Sequence, residues 1–533
     1  MRKLTDLVKN KKQKKFKTDS YSDMKLRGDG EAISPQVNEV LQDIKTTTGN
    51  SSDIVIRQFK VGKDGAIDIG IAYTDGLADK NFVQDFIIDP LKTDVRMSEL
   101  HSEVMESVDL YTIIKDFDMV GGEMTEFTEM KKLYFNLLSG NTVVLIGGYS
   151  KGIAVGSRGF ESRGVQEPSS QTVVRGPKDG FSEILRTNTS LIRRRIKNTD
   201  LWIETMQVGE KTQTDVAIAY IKGVANDKVV DEVRKRIKRI KVDYILESGN
   251  IEELIQDETF TPFPTIHNSE RPDAACAALL EGRVVILVEG TPFVLIAPAI
   301  FIQFLQASED YYQRADISTM IRILRFFSLF LALLTPSAYI AVTTFHQEML
   351  PTQLLISLAA QREGVPFPAV VEALMMEVTF EILREAGVRM PRAIGSAISI
   401  VGALVLGQAA VEAGIVSASM VIVVSLTAIS SFVVPAFNLS ISIRILRFCF
   451  MILAATFGLF GIIFGLIIMV AHMANLRSFG VPYLTPMAPF IIQDQKDVFL
   501  RFPLWGMFAR PRLISQKNTD REDTPSPKPN NGK

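Results

Sequence analysis

Two stretches of the chain repeat each other, and any fold must accommodate both copies. Ile69-Gly-Ile-Ala-Tyr-Thr-Asp-Gly-Leu-Ala-Asp79 returns as Val216-Ala-Ile-Ala-Tyr-Ile-Lys-Gly-Val-Ala-Asn226. Leu137-Leu-Ser-Gly-Asn-Thr-Val-Val-Leu-Ile146 returns as Leu279-Leu-Glu-Gly-Arg-Val-Val-Ile-Leu-Val288, at nearly the same offset. A duplicated α/β unit is the simplest account. The apolar run Val284 to Ile296 then reads as the closing β-hairpin of the second copy rather than as a membrane helix. Glu289 in its turn and Pro292 beside it suit a hairpin better than a spanning helix.

The first copy is expected over 49–160 and the second over 201–310. In the first, Ala66 to Tyr73 alternates like a strand, and Asn81 to Pro90 follows as a short helix ended by proline. Thr142–Ile146 and Ile153–Val155 flank a glycine-rich turn. In the second, Asp215–Tyr220, Val242–Leu246, Val284–Val288 and Phe293–Ile296 read as strands and Asp227–Ile240 as a helix. The linker, 161–200, carries an amphipathic basic helix over Phe181–Ile196, with Arg186, Arg193, Arg194 and Arg195. A nucleic-acid or phosphate ligand there would lack an aromatic stacking platform. A helix that bridges the copies through arginine–carboxylate contacts fits the residues better.

Residues 1–48 begin with a lysine cluster (Lys9, Lys11, Lys12, Lys14, Lys15, Lys17) and read as a disordered basic tail, suited to solvent or to an anionic membrane surface. No apolar stretch follows Met1, so a cleaved signal peptide is not expected. The net charge of −1 gives no bulk attraction to nucleic acid. Cys276 and Cys449 are too few and too far apart for a disulfide framework or a zinc cluster. The histidines at 267, 346 and 472 have no nucleophile or metal partner at ligand spacing. Gly147-Gly-Tyr-Ser-Lys-Gly152 lacks the spacing of a phosphate loop. No cofactor is indicated, and enzymatic activity is not expected.

Charges thin out from Phe326 to Ala471. Spanning a bilayer takes roughly 20 mostly apolar helical residues, which places a transmembrane domain at 311–475 with spans near 326–345, 393–411, 415–437 and 448–471. Pro336 and Pro435 are candidate helix bends. Gly458, Gly461 and Gly465 form a small-residue stripe that permits close helix contact. Four spans put both termini on one side, and basic residues at both ends favour the cytoplasm. The tail, 476–533, is expected to be disordered from about 515. Arg362, Arg384, Arg389 and Arg392 then fall on the outer side, against the positive-inside rule. A fifth crossing through Val284–Leu305 would reverse that assignment and place the tail outside.

Between the first two spans, 368–386 reads as an amphipathic or re-entrant helix. Glu377 and Glu381 stand one turn apart, with Arg384 in reach and Glu372 on another face. Carboxylates so spaced repel modestly unless a cation sits nearby. Two readings stay open. Glu372, Glu377 and Glu381 are candidate pore-lining residues of a cation path in an oligomer, or acids that face water or pair with Arg384 and Arg389.

Several ordered runs carry a resemblance: Arg175-Gly-Pro-Lys-Asp-Gly-Phe-Ser-Glu, Arg186-Thr-Asn-Thr-Ser-Leu-Ile-Arg-Arg-Arg-Ile, Phe260-Thr-Pro-Phe-Pro, Glu270-Arg-Pro-Asp, Glu281-Gly-Arg-Val, Ser308-Glu-Asp-Tyr-Tyr and Glu381-Ile-Leu-Arg-Glu-Ala-Gly-Val-Arg-Met-Pro. Together they resemble the A subunits of spore germinant receptors, the GerA family of endospore-forming bacteria, over roughly residues 50–510. The resemblance implies a multi-pass protein of the inner spore membrane with a cytoplasmic N-terminal domain. It implies work with a transporter-like B subunit and a lipid-anchored C subunit, and release of monovalent cations on sensing nutrients. It further implies A-subunit rings that conduct ions while the B subunit binds nutrient. A stage V sporulation AF-type relative is the alternative. A secondary transporter is disfavoured, because the detectable repeat lies outside the membrane part. The expected fold class is α/β plus membrane α-helical: a duplicated cytoplasmic α/β domain followed by a polytopic transmembrane helical domain.

Overall fold

The computed structural model describes residues 31–61, 67–92, 123–159, 167–168, 171–389, 407–521, 524 and 527. The lysine cluster and most of the expected span at 393–411 lie outside the described residues. The expected tail 1–48 is corrected in its last turns, where Val37–Thr47 is a helix, α1. Val37, Val40, Leu41 and Ile44 recur at helical spacing and are buried, so an apolar stripe outweighs the polar composition around it.

Two five-stranded sheets carry the duplication. Strands β1 (Ile54–Val61), β2 (Ile67–Thr74), β3 (Met124–Phe127), β4 (Thr142–Ile146) and β5 (Gly152–Val155) are hydrogen-bonded in the order β1-β2-β4-β5-β3. Strands β6 (Leu201–Val208), β7 (Thr214–Ile221), β8 (His267–Ser269), β9 (Val284–Val288) and β10 (Val294–Ala297) follow the order β6-β7-β9-β10-β8. The permutation is identical. The helices match as well. After β2 comes α2, Lys80–Phe82 widening into a π turn over Val83–Ile88, and before β4 comes α3, Met130–Leu138. The second copy has α4 (Leu185–Arg195) before β6 and α5 (Asp227–Lys238) after β7. It continues with α6 (Ser248–Ile255) and places α7 (Pro272–Leu280) before β9.

The repeated sequence positions are the ones that shape each copy. Asp79 and Asn226 cap α2 and α5 with their side chains. Gly140 and Gly282, just before β4 and β9, take φ of 91° and 93°, a left-handed turn that glycine enters without penalty. Val284–Ile296 forms strands and their turn, as the repeat requires. Val242–Leu246 is corrected: the segment is a loop in which Ile245 alone is buried. The helix after β2 also runs past Pro90, where a π turn ahead of the proline loosens the hydrogen-bond ladder that it would otherwise break.

The chain divides into two compact units, Met1–Gln166 with Asp179–Gly223 and Ile286–Pro292, and Glu167–Lys178 with Val224–Val285 and Phe293–Lys533. In the first unit, α1 and α3 cover one face of the first sheet with Ile44, Leu133 and Leu137 against Ala72, Val143 and Leu145. On the other face Val83 and Ile87 pack on Ile69, Ile71 and Val144. Burial on both faces explains why β4 is apolar from Val143 onward.

The second unit holds the apolar helices: α8 (Ala315–Thr344), α9 (Thr352–Arg362), α10 (Ala369–Arg389), α11 (Ala418–Val433) and α12 (Phe437–Asn475). By length and composition α8 and α12 are apolar enough to cross a membrane. Yet α12 is not one rod. Gly458 inside it has φ 63° and ψ −142°, and the chain folds back there. A Cβ on Gly465 would lie 2.8 Å from the Phe450 ring, and one on Gly461 2.2 Å from the Leu453 carbonyl oxygen. In a straight helix Phe450 and Gly465 would be about 22 Å apart. Ser442 bonds the Pro262 carbonyl, while His472 meets the neighbouring Thr261 at 2.9 Å. Straight, Ser442 and His472 would stand about 45 Å apart. The expected single span 448–471 is therefore corrected to the tip of a helical hairpin. The glycine stripe lets its own two arms approach.

Candidate functional site

Helix α10 starts where Pro368 offers its carbonyl to the N–H groups of Val371 and Glu372, and it carries the three expected acids. Glu372 is fully buried. Its Oε2 accepts from the Ser417 N–H at 2.9 Å and the Ser417 hydroxyl at 2.8 Å, and Oε1 accepts from Arg362 Nε at 3.3 Å. Ser417 is the N-cap of α11. Glu372 thus supplies negative charge where that helix exposes its unpaired N–H groups.

Glu377, also fully buried, has Oε2 2.9 Å from Arg447 Nη2. One turn on, Glu381 receives three guanidinium groups: Arg384 at 2.8 Å, Arg444 at 2.9 Å and Arg447 at 3.1 Å. Arg444 and Arg447 belong to the first arm of α12, so the cluster ties α10 to that arm. Three arginines surround two carboxyl groups. Such a group in an apolar helical region is expensive to build and marks a function by default.

The structure therefore brings Glu377 and Glu381 together and sets Glu372 apart from them. Arg384 pairs as expected, whereas Arg389 turns to Glu385 at 2.7 Å. Sequence reasoning missed Arg444 and Arg447. Their signal was present, since they are the charges that separate two long apolar stretches. Pro336 lies inside the continuous α8. Pro435 sits between α11 and α12, where it separates two helices rather than bending one.

A second charged node lies at the entry of α8. Asp310 accepts two 2.7 Å bonds from Arg325 and a 3.2 Å bond from Arg322. Arg322 also donates to Asp497 at 2.8 Å, and the Tyr311 hydroxyl donates to Asp497 at 2.7 Å. Burial first, and the Asp497 charge next, hold the Tyr311 phenol well above its ordinary value, so it remains a donor. Burial also raises Asp494. This node fastens the segment after α12 to the first turns of α8.

Other motif residues are anchors. Arg271 forks onto Asp273 at 3.0 and 2.7 Å and donates to the carbonyls of Gln171 and Pro177. Arg283 donates to the Pro298 carbonyl at 2.6 Å. Burial, followed by the Arg283 charge, lowers His267 to about 4. Among the described residues, no group of His, Cys, Asp and Glu is arranged to hold a metal ion.

Residues 42–513 match the Bacillus/Clostridium GerA spore germination protein family. The chain is 51% identical to spore germination protein KA of Bacillus subtilis (strain 168) over 92% of its own length and 89% of that protein's. It is 30% identical to stage V sporulation protein AF of the same organism, over 92% and 97%. Among solved structures, it is 40% identical to the N-terminal domain of the A subunit of the Bacillus megaterium spore germinant receptor GerK3. That likeness covers 51% of this chain and 99% of that one, with a TM-score of 0.41.

Proposed function

The chain belongs to the GerA family of spore germination proteins, and from that premise we propose that it is the A-type membrane subunit of a nutrient germinant receptor. In this reading it sits in the inner spore membrane with its α/β copies in the cytoplasm, assembles with copies of itself, and conducts monovalent cations. Gating comes through a transporter-like B subunit and a lipid-anchored C subunit. Identity of 51% to a germination protein against 30% to the stage V AF protein supports the receptor type over the stage V alternative.

The observation that carries the channel reading is the Glu377–Arg447–Glu381–Arg444 cluster between two apolar helices, with Glu377 and Arg447 buried and Glu381 and Arg444 half-buried. With its carboxylates held by arginines, the cluster offers no free negative site to a passing cation. We read it as the closed state: opening separates α10 from the first arm of α12 and turns Glu377 and Glu381 toward the path, with Glu372 remaining at the α11 cap.

Potassium flux from liposomes that carry the chain, alone and with its B and C partners plus nutrient, tests this. Glu377→Gln with Glu381→Gln should change cation selectivity or gating. Unaltered flux in that double variant would refute the carboxylate lining, and no flux under any condition would refute the channel.

A further inference from the structure

The segment that follows α12 carries an unusual amount of exposed apolar surface. Between residues 486 and 508 it exposes Phe490, Ile492, Phe499, Leu500, Leu504 and Trp505, with Ile492 77% and Trp505 44% accessible. Contiguous apolar exposure of this kind marks a surface that meets something other than water. The segment is fixed to the entry of α8. Phe499 packs against Phe326 as a tilted pair with ring centroids 4.6 Å apart. The Arg501 N–H donates to Thr319 Oγ1 at 3.1 Å, and Arg322 holds Asp497. The outward face of α8 at the same level is apolar too, with Met320 73% accessible and Leu324 and Phe327 more than half so. The exposed apolar surface of the segment is thus continuous with that of a helix long and apolar enough to cross a bilayer.

The backbone decides how deep it can go. Residues 486–508 form turns and two short 3₁₀ turns, Asp494–Asp497 and Leu504–Gly506, with no helix or paired strand. Irregular backbone facing lipid is not tolerated in hydrocarbon, where nothing satisfies its free N–H and C=O groups. It is tolerated at the headgroup level, where water reaches the main chain and aromatic rings settle. The flanking cations agree. Lys496 lies over the Phe508 ring, 3.3 Å from its centroid, and Arg512 is exposed. Lysine and arginine beside aromatic side chains are the pattern of a segment lying in the plane of an anionic interface.

We propose that residues 486–508 form an interfacial belt that inserts its aromatic and aliphatic side chains into the headgroup region of the bilayer α8 crosses. The belt would fix the depth at which α8 enters and couple lipid packing to the Asp310–Arg322–Asp497 node. This rests on the membrane reading above, and the following test separates the two.

The chain contains two tryptophans, Trp202 in β6 and Trp505 in the belt. The full chain is reconstituted in bilayers of brominated phosphatidylcholine, and the emission lost on bromination is compared with that of Trp505→Phe. A loss that disappears in the variant, and is larger for bromines near the headgroup than deep in the chains, is the expected result. A carbonate-resistant, integral chain whose Trp505 emission is untouched by any bromolipid overturns the belt and leaves the membrane reading intact. A chain stripped from the bilayer by carbonate overturns both.

Discussion

Arg193 and Asp53, 140 residues apart in the chain, meet in a two-pronged buried bond: Nε to Oδ2 at 2.9 Å and Nη2 to Oδ1 at 3.0 Å. Arg193 is the last-turn arginine of α4 that turns inward, while Asp53 stands just before β1 of the first copy. The same guanidinium donates to the Leu201 carbonyl at 2.9 Å at the start of β6. One side chain thus fixes the first strands of both copies. Arg186 reinforces the link through Asp75 at 3.1 Å.

Removing one partner of this bond leaves the other charged and dry. Arg193→Met or Asp53→Asn should destabilise the fold by about 3–5 kcal/mol. Thermal melting of the full chain in detergent reads this as a clear fall in Tm. Arg193→Lys should not rescue it, because a point ammonium cannot reproduce the fork.

How much of this was legible follows from which signals were local. The duplication could be read because β2 with its turn and β4 with its glycine recur nearly residue for residue, and both sheets keep one strand order. Strands β1 and β6 went unmarked although both are rich in β-formers. Val242–Leu246 reads as a strand because four of its five residues are apolar, and exposure of Tyr244 and Leu246 leaves no face to pair. The acids of α10 were legible, but their partners were not. Arg444 and Arg447 come from a helix some 60 residues on, and only the packing of its first arm on α10 makes them neighbours. A glycine stripe looks the same in sequence whether it meets another helix or its own second arm.

The fold-back itself can be measured. In a straight α12 spin labels at Ile445→Cys and Val470→Cys would be about 37 Å apart. In the hairpin they lie on adjacent arms, whose axes pack roughly 8–10 Å apart. In a Cys276→Ser, Cys449→Ser background, dipolar spectroscopy should return the short distance. Gly458→Leu should abolish it or unfold the chain, since φ of 63° disfavours any side chain and a Cβ would lie 2.7 Å from the His346 ring.

The side of the tail is a separate matter. Ser515 donates to the Val224 carbonyl at 2.9 Å, Arg510 to the Leu280 carbonyl at 2.7 Å, and Lys517 pairs with Asp227. Residues up to 521 are therefore held against α5 and α7 and do not begin a free tail at 515. A tail bonded to the second α/β copy shares its side of the membrane, so the crossings between them must be even in number. On the membrane reading, with the expected span at 393–411 kept, α10 counted as a crossing and α12 counted as two, the total is six rather than four: α8, α10, 393–411, α11 and the two arms of α12. Cysteines at Gln516→Cys and Lys228→Cys should label together, and only after permeabilisation of right-side-out vesicles. Labelling of one without the other would mean an odd count.

Acid should loosen the second copy through His267. Its ring lies 5.3 Å from that of Phe304, its Nδ1 has no hydrogen-bond partner, and burial beside Arg283 holds its value near 4. The unfolded chain would titrate near 6.5. A folded value below the unfolded one means that the neutral ring favours folding above pH 6.5. That contribution is lost as pH falls from 6.5 through 4, because the unfolded state takes up the proton first. The full loss is on the order of 3 kcal/mol. His267→Phe keeps an aromatic ring against Phe304 and cannot titrate. Melting curves between pH 7 and 4.5 should therefore fall less steeply in the variant than in the parent chain. Parallel curves would mean that groups other than His267 govern the acid limit.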